Sequence, residues 1–437
     1  MSHWAKSHWP GVGSLAIPLA IFIVAPLVHL VLFAYFLRGH FGSRSSLITG
    51  GFYALLVLWM FAAVMVSRAY KGFRIDQVDV LFLILLTGIG ISAAWYGNNP
   101  WLKFAPFFMV APYFAARLLD PREFSVYFTA LAALCIVAAV LVSFEIADTF
   151  GKSMLRTFVL VFGYDHGGGI ASNVLGILLV LTVAYLAYPR AHRLTATVWA
   201  AALLLLWLVA LLVDLQFRAA IYGALLVSAG LIILSKANLR VRLVLAAYLC
   251  ASVIVSGMLL THGSPQFLLA PVIESASSWN DESRSQLSSV QQRKVFFVIA
   301  VRETIAHPFA GIGAGRFAEV SGIPGAYPHN AVLQAFTELG VVGGSLYLGM
   351  AVLLAWRLFG LLGDERDVGR KWAWYVLGLW AYLFIIELVG GNYLTSATYW
   401  LVSGLAVSLI KSGGDSAGVF RLPPEADSLS NKSESRP

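Results

Sequence analysis

Three side chains in this sequence combine a capacity for chemistry with positions at the ends of apolar segments or in the connection before one: Arg218, Arg293 and His329. His329 lies in the stretch AYPHNAVLQAFTELGVVGG, Ala326 to Gly344. Pro328 biases its predecessor away from helix, and Asn330 suits the N-cap of the apolar helix that follows. The imidazole is therefore expected at a helix end, where water and lipid head groups meet. There a neutral imidazole can take a proton from a hydroxyl, or the ring can simply anchor the helix. Arg218 closes the run VDLQF before AAIYG and Arg293 opens an amphipathic segment. A guanidinium presents a planar fork of donors suited to phosphate. Arg218 could equally snorkel, or pair with Asp214 one helical turn earlier, and Arg293 could be a solvated loop residue. Glu338 follows His329 by nine residues, about half a rotation round the same helix. That excludes a dyad on one face and leaves Glu338 as an interhelical hydrogen-bonding group. Asn392 and Tyr393 close the run GGNY beyond Glu387, while Glu145, Asp148 and the loop GYDHGGG (Gly163 to Gly169) supply further polar groups.

The elements that must position these groups are apolar spans. Of 437 residues, 59% are hydrophobic and 12% charged, with mean hydropathy +0.79; a soluble domain carries about a quarter charged residues. The reading is an all-α, polytopic transmembrane bundle of about twelve spans. They fall near 14–37, 50–67, 77–96, 101–118, 122–145, 170–188, 195–213, 219–235, 241–260, 330–356, 372–389 and 393–410. Leu15 to Leu37 is too long for a signal h-region and reads as a retained first span. The fourth span is interrupted by Pro106 and Pro112, which neighbouring helices can accommodate. Loops after even-numbered spans, which include Arg74, Arg117 and Arg357, hold fourteen Lys and Arg. The short loops after odd-numbered spans hold six. By the positive-inside rule both termini are cytoplasmic. The net charge of +8 thus reflects topology and implies no nucleic acid.

Residues 1–260 then hold spans one to nine, 330–411 the last three, and 412–437 a polar cytoplasmic tail read as disordered. Between them, 261–329 forms one large outward loop. It contains the polar stretch SASSWNDESRSQLSSVQQR and a helix from about Gln286 to Ala306, whose apolar run Val295 to Val301 is too short to span. That helix should lie in the interface or tuck under the loop. Cys135 and Cys250 both sit inside apolar segments, so neither a disulfide framework nor a metal cluster is expected.

Arg218, Arg293, His329 and Asn392 all map to the outer side of this topology. Pro328–His329–Asn330, followed by Leu333, Glu338, Gly340 and Gly343, resembles the His-Asn-x-x-Leu…Glu-x-Gly-x-x-Gly signature of the O-antigen ligase and polymerase superfamily. Upstream, HPFAGIGAGRF (His307 to Phe317) is similar to its Pro-x-x-Gly-x-Gly-x-x-x-Phe segment. Arg293 falls where the family has an Arg about fourteen residues before that Pro. Arg218 falls at its Ser-Arg-Gly-like turn, here Gln216-Phe217-Arg218-Ala219.

The resemblance implies an integral-membrane glycosyltransferase of the bacterial inner membrane, working at the periplasmic face. Its donor would be a glycan on undecaprenyl diphosphate and its acceptor a sugar of lipid A–core, with membrane lipid around it and no cofactor or metal. Arg218 and Arg293 would hold the diphosphate, and His329 would deprotonate the acceptor hydroxyl in an inverting transfer. Asn330, Glu338, Asn392 and Tyr393 would support them. A polymerase of the same superfamily shares these motifs. So does a protein O-oligosaccharyltransferase, though that usually carries an added C-terminal domain. A lipid-linked glycan transporter is the reading from another class. Transporters tend to show repeats and midplane charges, whereas the charges here gather at one rim.

Overall fold

The computed structural model describes residues 73–97, 106–148, 166–188, 218–235, 239–260, 289–323, 326–363 and 367–418, with shorter runs at 16–21, 55, 57–65, 201, 203–205, 207–209 and 237. The spans expected at 14–37 and 195–213 lie largely outside these residues. So do Asp214, Arg284, the start of GYDHGGG and everything after Gly418, together with the side chains of Glu145, Asp148 and Arg218.

Among the described residues the architecture is all-helical, without a strand. Helix α1 (Gln77–Tyr96) is followed by a π-helical turn, Pro106–Val110, which leads into α2 (Ala111–Arg117). Then come α3 (Phe124–Asp148), α4 (His166–Ala187), α5 (Arg218–Leu234), α6 (Leu239–Leu260), α7 (Ser289–Ala306), the short α8 (Phe317–Ser321), α9 (Ala331–Leu362), α10 (Asp367–Gly390) and α11 (Ala397–Gly418). Among the described residues three stretches are long and apolar enough to cross a membrane: Gln77–Tyr96, Ala331–Leu362 and Arg370–Gly390. Shorter apolar stretches lie in α3, α4 and α5. The chain is a membrane protein.

Helix α10 sits at the centre, packed against α4, α5, α9 and α11, while α1 and α7 lie against α9. The core between them is aromatic. Phe82 of α1 stacks on Tyr113 of α2 at 4.1 Å and lies 5.0 Å from Trp400 of α11, which in turn meets Tyr347 of α9 at 5.8 Å. The fourth expected span is the π turn plus the seven residues of α2, because Pro106 and Pro112 remove two ladder donors. Packing of α2 on α11 shields that break.

Several boundaries differ from the sequence reading, those of α9 and α11 among them. Helix α9 runs on to Leu362 and is bent at Gly340, whose φ of 68° and ψ of −170° are not helical. Helix α11 begins at Ala397 rather than 393, because Asn392 to Ser396 form a turn. There the Asn392 side chain accepts from the Leu394 amide at 3.0 Å and its carbonyl accepts from the Thr395 amide at 2.9 Å. The same helix continues to Gly418, taking in the first seven residues of the expected tail.

One end of the bundle is marked by charge. Asp76 caps α1 in a reciprocal capping box with Asp79 and is ion-paired with Arg357 of α9. Asp79 is fully buried; it accepts from Tyr113 at 2.8 Å and pairs with the buried Arg117 at 3.2 Å, whose guanidinium also donates to the Arg74 carbonyl at 2.8 Å. A buried pair tolerates burial when additional hydrogen bonds support it; here Tyr113 and the Arg74 carbonyl supply them. Arg74, Arg117 and Arg357, assigned to one side by charge counting, meet at this end.

Candidate active site

The opposite end of the bundle gathers the groups singled out by the sequence. Helix α9 starts as the sequence predicts. Asn330 is its N-cap, extended in backbone (φ −152°, ψ 107°), with its side chain accepting from the Leu333 amide at 2.9 Å. Immediately before it, His329 has φ 55° and is the sole non-glycine residue of positive φ among the described residues. The left-handed region is uncommon for a non-glycine residue, although His tolerates it better than most. Such conformations persist where the surroundings over-determine them. Here Pro328 is buried on one side and the cap hydrogen bond holds the other. The turn directs the imidazole, half-buried, onto Tyr327 (ring centroids 4.2 Å) and Phe296 of α7 (6.0 Å, nearly parallel).

Tyr327 is the hinge of the cluster. Its hydroxyl donates to the Gly390 carbonyl at the end of α10 at 3.2 Å. Burial pushes that hydroxyl above its ordinary pKa, against the opposing pull of the nearby Arg293 guanidinium, so at neutral pH it remains a donor. Arg293 lies on α7 three residues before Phe296 and seven before Ala300, on one helical face. Phe296, Ala300, Ile312 and Phe317 form a small separate core, with Leu333 of α9 against it. The loop that carries Arg293 is therefore packed onto the helix that begins just after His329.

Arg218 enters through α5. Gly223 lies against Ile385 and Ile386 of α10, while Leu231 lies against Gly378, so the two helices are antiparallel. In that register Arg218, five residues before Gly223, begins α5 level with Gly390. Arg218 by backbone position, and Arg293, His329 and Asn392 by contacts around Tyr327 and Gly390, thus reach the same end of the bundle.

Glu338 does not face His329. It is fully buried and accepts three hydrogen bonds: from the Gly315 amide at 2.7 Å, the Tyr393 hydroxyl at 2.9 Å and Gln334 Nε2 at 3.0 Å. It ties the loop and the turn after α10 to α9, the interhelical role expected of it. The bend at Gly340 serves the same junction. With the ladder broken, the Thr337 and Glu338 carbonyls accept from the Ile312 and Gly313 amides, each at 3.0 Å, and the Val341 amide donates to the Pro308 carbonyl at 2.7 Å. A Cβ on Gly340 would run into the Phe309 carbonyl, and one on Gly311 into the Glu338 backbone. The glycines of HPFAGIGAGRF and Glu-x-Gly are thus two halves of one backbone splice.

Sequence reasoning missed Tyr327 and the bend. The signal for Tyr327 was only its place beside Pro328; nothing in a single chain tells which ring an imidazole will touch. Among the described residues no three of His, Cys, Asp and Glu converge as a metal set would.

No curated protein matches this chain. Residues 203–348, which hold Arg218, Arg293, His329, Asn330 and Glu338 together with the spliced loop, match the family model described as O-Antigen ligase.

Proposed function

We propose that the protein is an O-antigen ligase, transferring a glycan from a polyisoprenyl diphosphate such as undecaprenyl diphosphate to a sugar hydroxyl of lipid A–core. The observation that carries this reading is the half-buried His329, held in a left-handed turn against Tyr327, the ring whose hydroxyl lies near Arg293, within the family match at 203–348. In the proposed reaction Arg218 and Arg293 bind the diphosphate and stabilise the charge that grows on it. The His329 imidazole accepts the proton of the acceptor hydroxyl. That oxygen bonds to the anomeric carbon from the face opposite the leaving group. The bond from that carbon to the diphosphate oxygen breaks, its electron pair leaves with the diphosphate, and the configuration inverts. Asn330 holds the turn that presents His329. Glu338, Tyr393 and Asn392 hold the loop and the end of α10 around it.

This reading includes the twelve-span topology, a bacterial inner membrane, cytoplasmic termini and a site facing the periplasm. The charged rim of Asp76, Asp79, Arg117 and Arg357 at the other end of α1 supports it. The test is transfer by purified protein from a diphosphate-linked glycan to lipid A–core. His329→Ala should lower turnover by about 10²–10⁴-fold with normal recovery of folded protein, and wild-type turnover would leave His329 as an anchor. In cells lacking the protein, long glycan chains should still accumulate on the polyisoprenyl carrier without reaching lipid A–core. Single repeat units attached to core would instead mean that polymerisation is the missing step.

A further inference from the structure

The connection before α9, which by sequence belongs outside the membrane, carries the marks of a segment inside it. Helix α7 runs beside the first turns of α9 in the same direction. Phe296 meets His329, and further along the Thr304 hydroxyl is 3.0 Å from the Thr337 hydroxyl. The chain then turns at His307–Gly313 and returns to α8. Two helices measure the depth of that turn from the charged rim, where Asp76 and Arg357 pair. On α1, Ser92 lies sixteen residues beyond Asp76, about 24 Å along the axis, and its hydroxyl accepts from the Ala314 amide at 2.8 Å. On α9, Val341 lies sixteen residues before Arg357, again about 24 Å, and its amide donates to the Pro308 carbonyl. A bilayer's hydrocarbon core is about 30 Å thick, and tilt of either helix only reduces the height spanned. Both rulers place the turn roughly 6 Å inside the core.

Its chemistry agrees with that depth. Every amide from Gly311 to Arg316 donates to a protein acceptor: the carbonyls of His307, Thr337, Glu338 and Gly313, the Ser92 hydroxyl and the Glu338 carboxylate. Irregular backbone survives at membrane depth only when its polar groups are satisfied by protein. Of the side chains uncovered near the tip, His307 is polar, about half exposed and turned back toward Glu303, whereas Ile305 and Phe309 are apolar, 74% and 79% exposed. They adjoin the exposed Val341 and Val342 of α9, which belong to a membrane-crossing helix. Charge stops one turn higher. Arg302 pairs with Glu303, and His307 reaches back to the same carboxylate at 3.7 Å, level with Thr337 at about 30 Å on the α9 ruler.

We propose that residues 305–314 form a re-entrant turn embedded in the leaflet at the His329 end, with Ile305 and Phe309 in contact with lipid acyl chains. The inference is independent of the reaction assigned above. The test is nitroxide accessibility in full-length protein reconstituted into lipid vesicles, with labels at Phe309→Cys and Ile305→Cys. Val342→Cys serves as the lipid reference and Glu319→Cys as the aqueous one. All four carry Cys250→Ser, which removes the exposed native thiol; Cys135 is buried. Labels at 309 and 305 should collide with oxygen in preference to a water-soluble nickel chelate, with a ratio matching 342 and several-fold above 319. Preference for the chelate at 309 and 305 would make the segment a water-exposed loop. Protection from both reagents would mean that protein covers the tip. Either result overturns the proposal.

Discussion

His329 and Arg293 each depend on Tyr327 in a different way. The ring of Tyr327 is a wall for the imidazole, while its hydroxyl ties that wall to the end of α10. Tyr327→Phe keeps the wall and loses one neutral hydrogen bond, worth about 0.5–1.5 kcal/mol; transfer should fall at most several-fold. Tyr327→Ala removes the wall and should lower kcat far more than it raises KM for the acceptor. Equal loss in both variants, measured with purified components, would show that the hydroxyl and not the ring is what matters. Arg293→Lys replaces a fork of donors with a point charge. Hydrogen bonds to charged groups are worth about 1.5–3 kcal/mol, so kcat/KM for the diphosphate-linked donor should drop about ten- to a hundredfold. Full activity in that variant would argue against bidentate recognition.

At the scale of elements, the junction of α9 with the loop rests on Gly340 and Glu338. An alanine at Gly340 must hold φ 68° and meet the Phe309 carbonyl, at a cost of about 1–3 kcal/mol for the backbone alone. Gly349, in the same helix, has nothing near its missing Cβ; alanine there should be neutral or stabilise by up to about 1 kcal/mol. Thermal unfolding in detergent should therefore separate the two variants in opposite directions. If both behave alike, α9 is not bent in solution. Glu338→Ala leaves the Gly315 amide and the Tyr393 hydroxyl without their shared acceptor, each costing about 1–3 kcal/mol. It should loosen the loop as a unit, read as a lower thermal unfolding midpoint in detergent.

For the molecule as a whole, two clusters at opposite ends do separate work. The Asp79–Arg117 pair is buried, with further hydrogen bonds from Tyr113 and to the Arg74 carbonyl, and it lies near the start of α1, whose twenty residues extend about 30 Å. Breaking it by Asp79→Ala should cost about 3–5 kcal/mol, because Arg117 is left as an uncompensated buried charge. The protein that still folds should transfer glycan at the wild-type rate per molecule, since this cluster touches nothing at the His329 end. A fall in specific activity matching the fall in stability would instead tie the two ends together.

Much of this was legible in the chain itself. Length and hydropathy determined the helical class, because an apolar segment in lipid must satisfy its own backbone. Pro328 and Asn330 determined where α9 begins, since cap and pre-proline preferences act over three or four residues. The half-rotation between His329 and Glu338 already separated their roles. What reached beyond a few turns was settled by packing. The bend at Gly340 is stable only because Ile312, Gly313 and Pro308, some thirty residues earlier in sequence, take up the backbone groups it frees. The extension of α9 and the late start of α11 follow from contacts that no local preference encodes. Tyr327 became part of the site because α7, α10 and the turn before α9 converge on it, and that convergence exists only in the folded molecule.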